Sequence, residues 1–237
     1  MTTRRIFRIL CGLFFAAQFT TVTSWAAMPE NPVDRSRVIN GHRFVDLGLP
    51  SGLLWAETNV GAETAAADGD WFAWGETSEK FYYSWDTYMH GTSSDRLDKY
   101  NATDGLRTLE ADDDAATANW GRPCRMPTRK EFNELVGCGV CKWKWTAVVD
   151  SATMEVVKGY LVTSKKTGNS VFFPAAGSRY FDCANSRATS GNYWSSSLID
   201  KERELAYCFE FSKTNYDGWS FCKRYSGRSV RAVAKPL

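Results

Sequence analysis

Histidine is nearly absent: only His42 and His90 occur among 237 residues. Little is left for an imidazole metal site or a histidine base, and neither residue sits in a recognisable signature. A charge excess is missing too. Lys and Arg total 29 against 27 Asp and Glu, a formal +2, so no electrostatic footprint for nucleic acid or an anionic membrane surface is expected. No apolar run approaches the roughly 20 residues needed to span a bilayer. Repeats and low-complexity tracts are lacking as well. What remains is an ordinary globular composition, 43% hydrophobic and 24% charged, with a heavy aromatic load of 10 Trp, 10 Tyr and 14 Phe.

The first residues follow a different pattern. Arg4, Arg5 and Arg8 precede a short apolar run from Ile9 to Phe19, and Ser24-Trp25-Ala26 supplies small residues for cleavage. This three-part order predicts a secretory signal peptide over 1–26. Its three arginines and no acid take the charge of the remainder from +2 to −1. Cys11 lacks the preceding apolar run of a lipobox. A Pro-containing linker is expected over 27–37, and a folded domain over 38–237. Six cysteines follow the signal: Cys124, Cys138, Cys141, Cys183, Cys208 and Cys222. An oxidising compartment permits disulfides among them, and spacing alone selects no pairing.

Within the domain, short strands are predicted at Arg43–Leu47, Leu53–Glu57 and Trp71–Trp74, followed by a loop-rich stretch over 76–109. Helices are expected at Glu110–Ala118, with acids leading, and at Arg129–Val136. There Thr128 and Glu131 form a capping box, and Phe132, Leu135 and Val136 share one face. A hairpin is expected from Gly159–Thr163 and Ser170–Phe173 around a Gly-containing turn. Further strands are read at Asn192–Ser196, Ala206–Phe211, Gly218–Phe221 and Ser229–Val233, with Phe209 and Phe211 alternating with polar partners. The order predicts an α+β chain with short antiparallel strands and two helices.

Chemical motifs are few. Cys138-Gly-Val-Cys141 follows a helix instead of opening one, and it lacks a second ligand pair, so redox and zinc readings are weak. Asp112-Asp-Asp114 lacks the spacing of a calcium loop and reads as helix N-terminal acids. Tyr193-Trp194-Ser-Ser-Ser197 joins two aromatics to three hydroxyls, with Trp194 read as a core anchor. No catalytic residue, metal site or cofactor is expected.

Several motifs stand in a recognisable order. They are Phe44-Val-Asp-Leu-Gly-Leu49, Leu54-Trp-Ala-Glu-Thr-Asn-Val-Gly61, Gly69-Asp-Trp-Phe-Ala-Trp-Gly-Glu76, Asp113-Asp-Ala-Ala116, Asn119-Trp-Gly121 and Arg125-Met-Pro-Thr128. Phe173-Pro-Ala-Ala-Gly177, Tyr193-Trp-Ser-Ser-Ser197 and Gly227-Arg-Ser-Val-Arg231 complete the series. Over residues 40–234 the chain resembles the Fibrobacter succinogenes major paralogous domain family of bacterial secreted and surface proteins. The resemblance implies a C-type-lectin-like fold, the scaffold also used by formylglycine-generating enzymes. It extends to variable proteins of diversity-generating retroelements, in which a C-terminal segment displays ligand-contacting residues. The corresponding stretch is Ser178 to Tyr225. Calcium-dependent lectin motifs and the cysteine arrangement of formylglycine-generating enzymes are not recognised there.

The expectation is therefore a non-enzymatic, exported binding module facing an unidentified protein or glycan ligand, without nucleic acid or a membrane span. Tyr180, Phe181, Asp182, Asn185, Arg187, Tyr207, Asn215, Tyr216, Asp217 and Tyr225 are the predicted contact residues. They combine aromatic area with hydrogen-bonding groups, as paratopes do. An enzyme on the formylglycine-generating-type scaffold is the alternative, and predicts perturbed titratable groups near the cysteines. A structural subunit of a surface assembly is the third reading. Trp55, Trp71, Trp74, Trp120 and Trp194 are expected in the core, and the tyrosines from 180 onward at the contact surface.

Overall fold

A computed structural model describes residues 36–236. The expected signal peptide, and the expected linker up to residue 35, lie outside them. Strands β1 (Arg37–Ile39), β2 (His42–Asp46) and β3 (Leu54–Ala56) open the fold, followed by a small hairpin of β4 (Gly91–Ser93) and β5 (Arg96–Leu97). Helices α1 (Ala115–Trp120) and α2 (Arg129–Gly137) come next. The rest is β: β6 (Cys141–Val149), β7 (Val156–Ser164), β8 (Ser170–Pro174), β9 (Ser178–Tyr180), β10 (Cys183–Asn185), β11 (Ser190–Leu198), β12 (Leu205–Ser212), β13 (Asn215–Lys223) and β14 (Val233–Ala234). Every pairing of these strands is antiparallel. Antiparallel sheets with two α-helices place the described residues in an α+β, mostly-β class.

Three sheets carry the architecture: β1-β2-β3-β14, β6-β7-β8 and β11-β12-β13. β14 brings the C-terminal segment beside β3, with Val233 opposite Trp55. In β11-β12-β13, alternation sorts side chains by parity. Odd positions Tyr193, Phe209 and Phe211 enter one core with Trp55, Phe132 and Phe173. Phe132 of α2 stacks on Phe209 at 5.0 Å, which fixes the helix on that face. Even positions Trp194, Ala206 and Cys208 join a second core with Trp74 and Trp120.

Local chemistry explains the helix starts. Thr128 and Glu131 form the reciprocal capping box of α2. The earlier helix begins later than predicted. Asp114 is its N-cap, accepting from the Thr117 amide, and Ala111–Asp113 forms only a 3-10 turn. Asp114 also accepts from the Met126 amide at 2.9 Å, so a tertiary contact sets the boundary.

Two predicted strands are corrected. Phe72 makes a single bridge to Arg228 instead of a strand over Trp71–Trp74. Ser229–Val233 divides its backbone bonds among partners from different segments. Ser229 pairs with Asn192 and Trp194, Val230 with Val60, and Ala232 with Ala56. A segment threaded between several elements satisfies its amides without forming a ladder. The nine-residue β6, alternating Trp143 and Trp145 with Lys142 and Lys144, is an addition. Trp55, Trp74, Trp120 and Trp194 are buried as expected. Trp71 is only half-buried, beneath the Arg179 guanidinium at 4.4 Å. Tyr193 departs from the other late tyrosines, being fully buried.

Candidate functional site

The even face of β11-β12-β13 continues past its core half into a polar row. Ser190 and Asn192 on β11, Glu210 on β12 and Ser220 and Cys222 on β13 line an open groove of about 710 Å³. The facing wall is the β9–β10 hairpin, with Ser178, Tyr180, Phe181, Cys183 and Asn185. Two anchors hold that hairpin. Tyr83 and Phe181 exchange backbone hydrogen bonds, each of 2.9 Å, and Arg179 and Gly227 do the same. Gly177 at the hairpin's base has φ +70°, and a Cβ there would meet the Asn185 carbonyl at 2.2 Å.

The wall carries backbone strain. Phe181, Ser186 and Ala188 hold left-handed φ values of 56°, 60° and 64° without being glycine. Such conformations are rare for bulky residues and gather at functional loops. Phe181 is also half-exposed, with its ring 5.6 Å from Tyr82. The wall therefore displays an aromatic ring on a backbone held by flanking bonds.

Beneath the groove lies an unusual charge arrangement. Arg228 is 2% exposed and stacks 5.1 Å from Trp194 and 5.6 Å from Tyr180. Nη2 donates to the Tyr180 hydroxyl at 2.7 Å, while Nε and Nη1 have no hydrogen-bond partner. Cys208 and Cys222 sit nearby, their sulfurs 3.1 Å apart. The Cys208 hydrogen bond pulls the Cys222 thiol below its ordinary value, against the effect of burial, and the Arg228 charge adds to the pull. Cys208 moves up, because it donates that hydrogen bond and is buried. Strongly displaced thiols beside a groove are the feature that the enzyme alternative calls for.

The predicted contact residues divide by position. Tyr180, Phe181 and Asn185 line the groove, and Asp182 is exposed on its hairpin turn. Arg187 turns to a neighbouring cavity of about 390 Å³, where Nε meets Asp68 at 2.5 Å. Tyr207 belongs to the opposite face of the sheet, 6.2 Å from Trp219 and under the Arg129 guanidinium at 4.2 Å. Asn215 and Tyr216 lie at the start of β13, with Tyr216 stacked on Trp143 at 5.5 Å. Asp217 is described only through its backbone in β13. Tyr225 packs behind the wall, on Trp85 at 5.1 Å and Tyr180 at 6.4 Å.

Sequence reasoning missed Asn192, Glu210, Ser220, Cys222 and Arg228. The signal for the first three is the polar half of the alternation that Phe209 and Phe211 already revealed. Arg228 lies in a motif read as framework. Cys138 and Cys141 are free thiols, and burial pushes Cys141 up to about 11.

Among the described residues, no group of three or more His, Cys, Asp or Glu is placed to hold a metal ion. No helix among them is long and apolar enough to cross a membrane. No family model, curated protein or solved structure matches the chain.

Proposed function

We propose that the chain is an exported, non-enzymatic ligand-binding module of the Fibrobacter succinogenes major paralogous domain type, on a C-type-lectin-like scaffold. The groove between the β9–β10 hairpin and the even face of β11-β12-β13 is its recognition surface. One observation carries the reading: a 710 Å³ open groove with hydrogen-bonding side chains on its floor and an exposed aromatic ring on its wall. Asn192, Glu210, Ser190 and Ser220 offer closely spaced donors and acceptors, which suits a ligand rich in hydroxyls. Phe181 and Tyr180 add aromatic surface, as glycan sites use against the apolar face of a sugar ring. A neutral or weakly charged glycan is the ligand class these groups fit best.

This surface differs from the sequence-predicted one. Tyr180, Phe181 and Asn185 remain in its lining and Asp182 stands exposed on the adjoining turn, whereas Arg187, Tyr207, Asn215, Tyr216 and Tyr225 lie outside that lining. The test is a binding screen on immobilised oligosaccharides, followed by variants against the strongest hit. Phe181→Ala and Asn192→Ala are expected to weaken binding about tenfold or more, and Tyr216→Ala to leave it unchanged. Equal affinity for Phe181→Ala, Asn192→Ala and the parent protein overturns the assignment.

A further inference from the structure

The groove floor holds an asymmetric pair of thiols. Cys222 is 8% exposed and lines the groove, whereas Cys208 is fully buried behind it. The β12–β13 register sets Cys208 opposite Ser220 and Cys222 opposite Ala206, so the cysteines are diagonal neighbours on one face. Their sulfurs lie 3.1 Å apart and need to approach by about 1 Å to reach bonding distance. The only guanidinium among the groove's lining residues is Arg228, and its Nε and Nη1 have no hydrogen-bond partner. A buried guanidinium without a carboxylate partner calls for a negative charge beside it. We propose that Cys222 and Cys208 form a reversible thiol–disulfide exchange site, with Cys222 attacking low-molecular-weight disulfides that enter the groove and Arg228 holding its thiolate.

The chemistry balances as two displacements. The Cys222 thiolate attacks one sulfur of a small disulfide, RSSR, forming a mixed disulfide and expelling RS⁻. The Cys208 sulfur then displaces the second RS group from Cys222, and its proton leaves with that group as RSH. The protein gains one Cys208–Cys222 bond, and RSSR is reduced to two thiols. The raised acidity of the Cys222 thiol, pulled below its ordinary value by the Cys208 hydrogen bond, agrees with the direction of attack. The charged and titratable groups facing the pair are Arg228, which favours the thiolate, Glu210, which opposes it, and the Tyr180 hydroxyl on Arg228. Exposed Cys183 on the opposite wall hydrogen-bonds Asp182, whose charge pushes its thiol up.

The site is independent of the glycan reading, because the experiment reads sulfur and uses no glycan. The reduced protein, carrying Cys183→Ser to simplify the map, is exposed to oxidised glutathione, quenched by alkylation and mapped by mass spectrometry. The expected result is loss of two thiols, a Cys208–Cys222 linked peptide, and transient glutathione on Cys222. The rate should keep rising with pH only up to a midpoint below that of an ordinary thiol. Arg228→Met should slow the reaction about tenfold at neutral pH and shift the midpoint up. Glu210→Gln should quicken it, which keeps the test decisive if Arg228→Met misfolds. Failure to form the Cys208–Cys222 bond, glutathione on Cys208 in place of Cys222, or rates unmoved by both charge variants overturns the proposal.

Discussion

Arg231 and Arg228 leave the same short segment, both are buried, and they are treated in opposite ways. Arg231 is saturated. Nε donates to Asn59 Oδ1 at 2.8 Å, Nη1 to the Ala56 and Glu57 carbonyls, and Nη2 to the Phe172 carbonyl at 2.9 Å. Arg224, at the other end, is bonded through all three nitrogens to Tyr88 and to the carbonyls of Lys99, Tyr100 and Arg203. Arg228, between them and under the groove, has one partner for three nitrogens. The outer two arginines tie distant segments together through their carbonyls. The middle one retains unspent donors and positive charge where the fold opens to solvent. A guanidinium that is fully paired serves the scaffold, whereas one left under-paired beside a groove is available to a charge that comes and goes.

The hardest way to break this contrast is at Arg231. Arg231→Met removes a side chain that bridges β3 and the residues just after it to β8, and leaves Asn59 Oδ1 and three carbonyls short of a donor. A loss of about 3–5 kcal/mol is expected, read from the urea midpoint at constant m-value. A loss below about 1 kcal/mol would mean that the saturated arginine is not the brace its bonds indicate. Next comes the wall of the groove. Gly177→Ala forces a Cβ onto the Asn185 carbonyl at a positive φ, so about 1–3 kcal/mol is expected, with loss of glycan binding. Gly105→Ala is the control for φ alone, since its Cβ meets nothing within 4 Å at a similar φ of +68°. It should cost less and spare binding.

The same contrast marks what the sequence could and could not disclose. Local rules located α2 through Thr128 and Glu131, the β7–β8 hairpin through its Gly-containing turn, and β12 through Phe209 and Phe211. Those signals act over a few residues, so one chain suffices to read them. The Glu110 helix start failed because Asp114 caps with help from Met126, a tertiary contact. Tyr216, a predicted contact residue, is exposed and stacks on Trp143, which lies in a strand that local patterning did not disclose. The cysteines make the point most sharply. Cys138-Gly-Val-Cys141 is the visible motif, but the burial of Cys141 raises its thiol. Cys208 and Cys222 form no motif, and only the β12–β13 register brings them together. Arg228 could not be distinguished from Arg231 by type or spacing, because the difference lies in which carbonyls surround each side chain.

The smallest expected effect sharpens the contrast most. Arg228→Met exchanges an under-paired guanidinium for an apolar chain of similar length between Trp194 and Tyr180. It loses stacking and the one hydrogen bond to the Tyr180 hydroxyl but also removes two unpartnered buried donors, so stability should change by less than about 1 kcal/mol at pH 6, well short of Arg231→Met. The difference should emerge with pH in the reduced protein. The Cys208 hydrogen bond pulls Cys222 below its ordinary 9 in the fold, so between its lowered value and 9 the unfolded chain binds more protons than the folded one. Stability therefore rises with pH across that window, is fully present above 9, and is lost as pH falls through the folded value. Cys208 has the opposite sign. Its raised value keeps it protonated in the fold, so it costs stability once pH exceeds its ordinary 9. The urea midpoint of reduced parent protein should climb as pH rises toward 9, and that of Arg228→Met should climb less. Glu210→Gln should climb more, because it removes the charge that opposes the thiolate. Parallel pH profiles for all three proteins would show that Arg228 is only another structural arginine, and would erase the distinction between it and Arg231.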